Sequence, residues 1–449
     1  MSNTEHSKLT NPMSPIDKLR VAIDATQIVS GGSGGVAQAI LGLVHALGQL
    51  QDGSQEYVIV VDSQHQIDWL RPLSGSNQRF VLKPQIAKRR GNRFTKGLLR
   101  SLRPAARYVR HHLDGRARRW PEVPVSDGFY ESLDCDVLHF PHQGFVLCAL
   151  PTIYTPHDLQ HLHYPQFFTA SAIAARETLY RGGCQLAHTV VVASQWIKDD
   201  VIRQYGISPQ KVQIIPWGTP TQAFHEPSQE QLLAVKSRYQ LKQPFAIFPA
   251  VTWPHKNHLR LFEALAYLRD THGLIVRLVA TGSRYEPFWP QIEAGLDALA
   301  LRSQVTFLGF VPDEDLRALY RLSQFLVMPT LFESDSFPIY EAWLEGVPVA
   351  CSNVCSLPDQ VMDAASLFDP HDVESMADSI ARLATDAALR EDLCRRGYRR
   401  LKDFSWECTA KSYRAAFRRA ANRRLSQEER WQLGWDWMRE PQRQREGQP

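Results

Sequence analysis

Short, wholly apolar, β-branched runs recur along this chain with helical periodicity between them, and no other feature restricts the fold so strongly. Val21–Asp24, Tyr57–Val61, Val137–Phe140, Thr152–Thr155 and Thr189–Ala193 make one series; Phe245–Pro249, Val276–Thr281, Val305–Leu308, Phe325–Met328 and Val347–Cys351 make a second. A strand that is apolar on both faces belongs in a parallel sheet covered by helices on both sides. The intervening segments supply such helices: in Leu259–Arg269, residues Leu261, Phe262, Leu265 and Leu268 share one side. Strand and helix in repetition predict an α/β chain of two doubly wound parallel sheets. The polar stretch Trp217–Ser237, with Pro220 and Pro227, reads as the linker between them. The expected domains are therefore 19–222 and 223–405, then a helix over 406–422 and a charged tail over 423–449. Open α/β sheets bind ligands beyond the carboxyl ends of their strands, so two such sheets facing one cleft can hold a donor against an acceptor.

Composition narrows the class. No apolar run approaches the ~18 residues that span a bilayer, and the polar, proline-punctuated start MSNTEHSKLTNPMSPIDK reads as neither signal peptide nor anchor. The seven cysteines form no C-x-x-C pair and several lie in apolar runs, as expected of reduced core thiols in a cytoplasmic protein. Charge is unevenly spread. Residues 83–119 hold thirteen Lys/Arg and one acid, Asp114, a net +12 in a chain of net +4, which leaves −8 on everything else.

Four segments could carry chemistry, each at the carboxyl end of a predicted strand. After the first strand, Gly31, Gly32, Gly34 and Gly35 lead into the helix Ala37–Leu47; glycines permit positive φ and close approach of a ligand, and a helix start attracts anions. Thr155-Pro-His-Asp-Leu159 places His157 and Asp158 after another strand, with His161 and His163 nearby, but no thiolate or second carboxylate completes a metal set. Trp253-Pro-His-Lys-Asn-His-Leu259 sets Lys256 in the loop before a helix, where it could meet a phosphate. Finally, Thr330–Glu341 offers Glu333 before a helix and Glu341 about one turn inside it, with Ser336 as the expected cap and Pro338 in the first turn. Asp134-Cys-Asp136 has the D-x-D spelling of metal-dependent transferases, yet it precedes the strand Val137–Phe140 and reads as strand-entry capping.

Together and in this order, the four segments resemble a retaining glycosyltransferase of the GT-B fold, with two Rossmann-like domains, in the large family 4 that includes bacterial mannosyltransferases. The resemblance covers roughly residues 19–420 and is most specific over Glu333–Pro358, where Glu-x7-Glu is followed by Ala-Trp-Leu-Glu-Gly-Val-Pro-Val. It implies that Glu341 binds ribose hydroxyls, Glu333 the donor sugar's hydroxyls, and that Lys256 neutralises the diphosphate leaving group. It also implies that His157, followed by Asp158, sits beside the transferred sugar, that Gly34 and Gly35 close over the phosphates, that amides near Ser336 and Phe337 approach the donor, and that 406–422 is a closing helix returning to the first domain. No metal or other cofactor is implied. The resemblance implies a nucleotide-sugar donor, GDP-mannose first, and a polysaccharide or lipid-linked saccharide as acceptor. Two departures stand out. Many members have Phe-Gly between the two glutamates where this chain has Ser-Asp-Ser-Phe, and an arginine five residues before the lysine where this chain has Val251. His255, Arg260 and Arg284 are the cations in position to compensate.

Read as a helix, 93–113 carries cations at 93, 96, 100, 103, 107 and 110 on one face, with Phe94, Leu98, Leu102, Ala105, Val109 and Leu113 on another and Pro104 near its middle. Such a basic amphipathic segment suits an anionic membrane surface, a solvated cationic face packed on the acidic remainder, or a partly disordered insertion; the expected location is cytoplasmic, and on the first of these readings peripheral at the inner membrane face. No base-reading module accompanies the charge, and nucleic acid is not an expected partner. Two other classes could use the same residues: a hydrolase with Glu333 and Glu341 as acid and base, and a non-catalytic nucleotide-sugar-binding protein.

Overall fold

A computed structural model describes residues 18–27, 34–84, 123–219, 226–242, 244–436 and 438–439. In the first half, β1 (Leu19–Asp24), α1 (Gly35–Gln49), β2 (Gln55–Val61), α2 (Gln64–Leu70) and β3 (Gln78–Leu82) are followed by β4 (Val137–Phe140) and β5 (Thr152–Tyr154). Next come α3 (Gln160–His163), α4 (Ala170–Arg176), α5 (Gly182–Leu186), β6 (Thr189–Val192), α6 (Gln195–Tyr205) and β7 (Val212–Ile214). The second half runs through α7 (Gln229–Arg238), β8 (Ala246–Pro249), α8 (His258–His272), β9 (Leu278–Thr281), α9 (Trp289–Ala298), β10 (Val305–Phe307) and α10 (Asp313–Leu322). It continues with β11 (Phe325–Met328), α11 (Phe337–Leu344), β12 (Val349–Ser352), α12 (Leu357–Val361), β13 (Ser366–Phe368), α13 (Val373–Thr385) and α14 (Ala387–Leu401). The last helices are α15 (Trp406–Ala420) and α16 (Gln427–Gly434).

All strand pairs are parallel. The first sheet has the order β3-β2-β1-β4-β5-β6-β7 and the second β10-β9-β8-β11-β12-β13. Each is doubly wound, with the direction of strand addition reversing next to its first strand, at β1/β4 and at β8/β11. Crevices form at those reversals. The expected strands are present, and three more join them: β3, β7 and β13. The linker reading needs correction. Within Trp217–Ser237, Ser228 caps α7 through a capping box with Gln231, so the second part of that stretch is helix. The charged tail includes a further helix: α16 packs on α15, and beyond it Met438 is buried, its carbonyl accepting from Arg400 Nη2 at 2.5 Å.

The chain returns to its beginning through α15. Gly42 on α1 and Gly218 both lie against Trp406, so closely that a Cβ on Gly42 would fall 1.9 Å from the indole Cζ2. Tyr413 and Phe417 of the same helix stack near His139 of β4 and bury completely. Among the described residues no helix is long and apolar enough to cross a membrane. The segment 93–113 and glycines 31 and 32 lie outside the described residues.

Candidate active site

Pairing of β8 with β11, Phe325 against Ala246 and Leu326 against Ile247, sets the loops that follow these two strands side by side. One loop ends in the short turn Pro254–Lys256 and the other carries Glu333. Leu331 N donates to the His255 carbonyl at 2.8 Å, tying the loops backbone to backbone. Lys256 Nζ then reaches Glu333 Oε2 at 2.6 Å, both side chains only 15% exposed. A charge-assisted bond this short and this sheltered joins two residues 77 positions apart. Asn257, with φ of 62°, holds the turn by donating to the carbonyls of Pro329 and Pro370 at 3.0 and 2.9 Å.

Three residues after Glu333 the chain enters α11. Ser336 stands at its N-cap position, but the expected cap is not made: the hydroxyl is buried without a partner. Gln360 of α12 instead clasps the Ser336 backbone, accepting from its N–H at 3.0 Å and donating to its carbonyl at 2.9 Å. The Ser336 amide is thus spent inside the fold, and Pro338 has none to offer. Phe337 remains the N–H donor at this helix start. Its ring reaches across to the first half, 3.5 Å from where a Cβ on Gly35 would lie. Gly35 opens α1 and Gly34 caps it with an extended φ of 168°, which any residue adopts. The positive φ expected of the glycine loop is therefore not needed at Gly34.

Glu341, one turn into α11, accepts from Tyr320 Oη at 2.8 Å and lines a pocket with Asp313, Arg317 and, from the first half, Gln38. Burial pushes its carboxyl up to about 7 against the pull of the tyrosine. Asp335 is likewise raised to about 7 by burial, although Tyr340 Oη donates to it at 3.0 Å.

In the first half, His157 follows β5 with φ of 65°, a conformation sparse among non-glycine residues and frequent at functional sites. Its Nε2 is 2.9 Å from the Pro141 carbonyl beyond β4, and its ring stacks on Trp217. Burial lowers its pKa, so the ring is neutral. Asp158 Oδ1 accepts from the Gln160 amide at 3.0 Å, a local turn contact. The neighbouring histidines take separate carboxylates: His161 meets Glu177 at 2.9 Å and His163 meets Asp200 at 2.8 Å. Among the described residues no group of three or more His, Cys, Asp and Glu converges as a metal site. Asp134 and Asp136 hold Arg20, Asp136 accepting from its backbone amide at 2.9 Å where β4 and β1 begin.

The cations expected to compensate for Val251 do not all do so. Burial and the adjacent Lys256 hold His255 down at about 2, so it carries no charge. Arg284 lies over the Trp289 ring and Arg260 faces Glu263 at 3.5 Å. Gln38, Gln360 and Arg317 belong to this neighbourhood and had no motif of their own. Arg317 and Glu341 lie on separate helices, and Gln38 lies in the other half of the chain.

Known proteins resemble this chain in sequence and in fold. Residues 34–223 match the family model described as Glycosyltransferase Family 4, and residues 230–400 match Glycosyl transferases group 1. O-antigen chain mannosyltransferase B of Escherichia coli is 29% identical over 266 residues, 58% of this chain and 68% of that protein. The serotype-specific mannosyltransferase WbdA of Escherichia coli is 29% identical over 230 residues, 50% of this chain but only 28% of the relative. Among solved structures, sucrose-phosphate synthase of Thermosynechococcus elongatus aligns with a TM-score of 0.63 at 18% identity, over 89% of this chain and 98% of the other. HepE of Anabaena in complex with UDP and glucose aligns with a TM-score of 0.62 at 14% identity, over 89% and 99%. With two family models covering both halves and two parallel sheets of the same winding, this chain belongs to the group 1, family 4 glycosyltransferases of the GT-B fold.

Proposed function

We propose that the chain transfers a hexose, mannose first, from a nucleoside-diphosphate sugar such as GDP-mannose to a polysaccharide or lipid-linked saccharide, with retention and without a required metal. The observation that carries this reading is the 2.6 Å Lys256–Glu333 pair beside the start of the helix that bears Glu341. In this reading Glu341 accepts from the ribose hydroxyls and Glu333 from the sugar. Lys256 and the Phe337 amide stabilise charge developing on the departing diphosphate, a role suited to groups already fixed in place. Neutral His157 offers a ring beside the sugar without a competing charge. Glu341 and Glu333 already have separate partners, Tyr320 and Lys256, which favours donor binding over an acid–base pair for hydrolysis. The names of the mannosyltransferase relatives support the choice of sugar.

A panel of nucleotide sugars tests the reading by thermal shift. The donor that fits stabilises the protein by about 2.7 kcal/mol at a hundredfold excess over Kd. The same donor is then incubated with and without EDTA, and free nucleoside diphosphate is measured. Release in both arms is expected. A bound donor that stays intact for long periods would favour a non-catalytic binder, and release lost to EDTA and restored by Mg²⁺ would overturn metal independence.

A further inference from the structure

Glu333 belongs to the second half, yet the backbone on both sides of it is held by the first. Two residues earlier, the Leu331 carbonyl accepts from Tyr164 Oη at 3.0 Å. The next residue, Phe332, is buried among three rings of the first half. His163 lies 5.2 Å away, Trp196 5.5 Å edge-on and Tyr164 6.2 Å edge-on. His163 is fixed in turn by Asp200 at 2.8 Å. Beyond Glu333, its carbonyl faces the amide of Ser356 at 3.5 Å, and the buried Ser356 hydroxyl meets the Ser194 hydroxyl of the first half at 2.6 Å. The other edge of the segment is tied to the lysine turn through Leu331 N and the His255 carbonyl.

We propose that Tyr164, Trp196 and Ser194 are positioning residues for the donor site. They form a socket for Phe332 and a clasp at Ser356, and docking of the two halves through them sets where Glu333 and Lys256 stand. The inference rests on the proposed role of Glu333 toward the donor sugar. Its physical basis is that an aromatic plug fully enclosed by its partners fixes the adjacent backbone to a fraction of an ångström, and near the reacting atoms a 1 Å displacement costs about 100-fold in rate. The Glu341 pocket takes none of its lining from the socket. Socket changes should therefore separate turnover from nucleotide binding.

The test uses the full chain with Trp196→Ala, Trp196→Phe and Tyr164→Phe, the last keeping the ring and removing only the hydroxyl. Donor cleavage is measured with GDP-mannose, or with the donor the panel selects, and affinity with the matching nucleoside diphosphate. Trp196→Ala should lower kcat about tenfold or more while the diphosphate Kd stays within about threefold, Trp196→Phe should restore most of the rate, and Tyr164→Phe should lose about threefold with an unchanged melting temperature. Wild-type kcat in both Trp196→Ala and Tyr164→Phe overturns the proposal. So does a parallel loss of diphosphate affinity, which would mark the socket as general support for the fold. Glu333→Gln in the same assay separates the layers. If it turns over normally, the role of Glu333 fails and this inference with it; if it is inactive while the socket variants are normal, only the inference fails.

Discussion

Replacing Lys256 with methionine removes the ammonium from Glu333 and keeps most of the side-chain volume. Both partners are 15% exposed and 2.6 Å apart, so the carboxylate left behind stands in a sheltered site without its counter-charge. Hydrogen bonds to charged groups contribute about 1.5–3 kcal/mol, and stranding a fully buried charge costs about 3–5 kcal/mol. Partial exposure places Lys256→Met near the lower range, about 2 kcal/mol. For a half of some 200 residues that corresponds to a melting shift of roughly 4–8 °C. Glu333→Gln in the same protein should make the lysine far less costly to remove, and the double variant should sit above the sum of the singles. Turnover should fall about 100- to 1,000-fold, the scale of losing one fixed electrostatic contact to a developing anion. Melting curves and donor-cleavage rates of the wild type, both singles and the double give the whole cycle. Additive stabilities would show that the pair is not coupled. Turnover of Lys256→Met within twofold of wild type would remove the lysine from the chemistry.

Glu341 and Asp335 hold their protons to about pH 7 in the folded chain, whereas the unfolded chain releases them near the ordinary values of 4.5 and 3.8. The folded state thus binds more protons across that window, and its stability falls as pH rises through it; Glu341→Gln should flatten that fall in urea midpoints measured from pH 4.5 to 8, and an unchanged slope would contradict the raised pKa. Gly42→Ala drives a methyl into Trp406 and should cost about 1–3 kcal/mol, part of which Trp406→Phe in the same chain should return; a neutral Gly42→Ala by chemical denaturation would refute the close packing. Neutralising Arg93, Lys96, Arg100, Arg103, Arg107 and Arg110 together should weaken binding to anionic vesicles, each cation contributing about 1 kcal/mol at low salt, and leave activity on a short water-soluble acceptor intact. Vesicle binding equal to wild type, or insensitive to salt, would remove the membrane reading.

The winding of both sheets was legible because buried parallel strands are written as apolar runs. The strands that escaped are the ones that such runs do not describe. Gln78–Leu82 lies at a sheet edge with every residue at least partly accessible, and Val212–Ile214 and Ser366–Phe368 have three residues each. Helix α7 hides in a polar stretch where Pro220 and Pro227 read as linker and the Ser228/Gln231 capping box is the opposing signal. The site motifs were legible one by one, but not their pairing: nothing local to Lys256 announces a partner 77 residues away, and strand order supplies it. The Ser336 cap failed for a similar reason, since Gln360 arrives from a different helix and takes the backbone. The socket had a faint signal in the aromatic-rich His161–Phe168, but its target, Phe332, lies in the other half.

The contact between Trp406 and α1 has a consequence for how the chain is made. Gly42 and Gly218 are shaped to receive a side chain that the ribosome reaches long after it has made both of them. Between Gln49 and Trp406 it must add some 350 residues, which at about 5–20 residues per second takes roughly 20–70 s. Throughout that interval the groove on α1 meant for α15 stays open, so the first half emerges before the second yet is completed only after it. Nascent chains halted before residue 406 should be captured by holding chaperones and cut readily by protease at the first half, while chains released after α15 has cleared the exit tunnel should resist both. Supplying α15 in trans as a peptide would then close a domain whose synthesis had ended some 200 residues earlier.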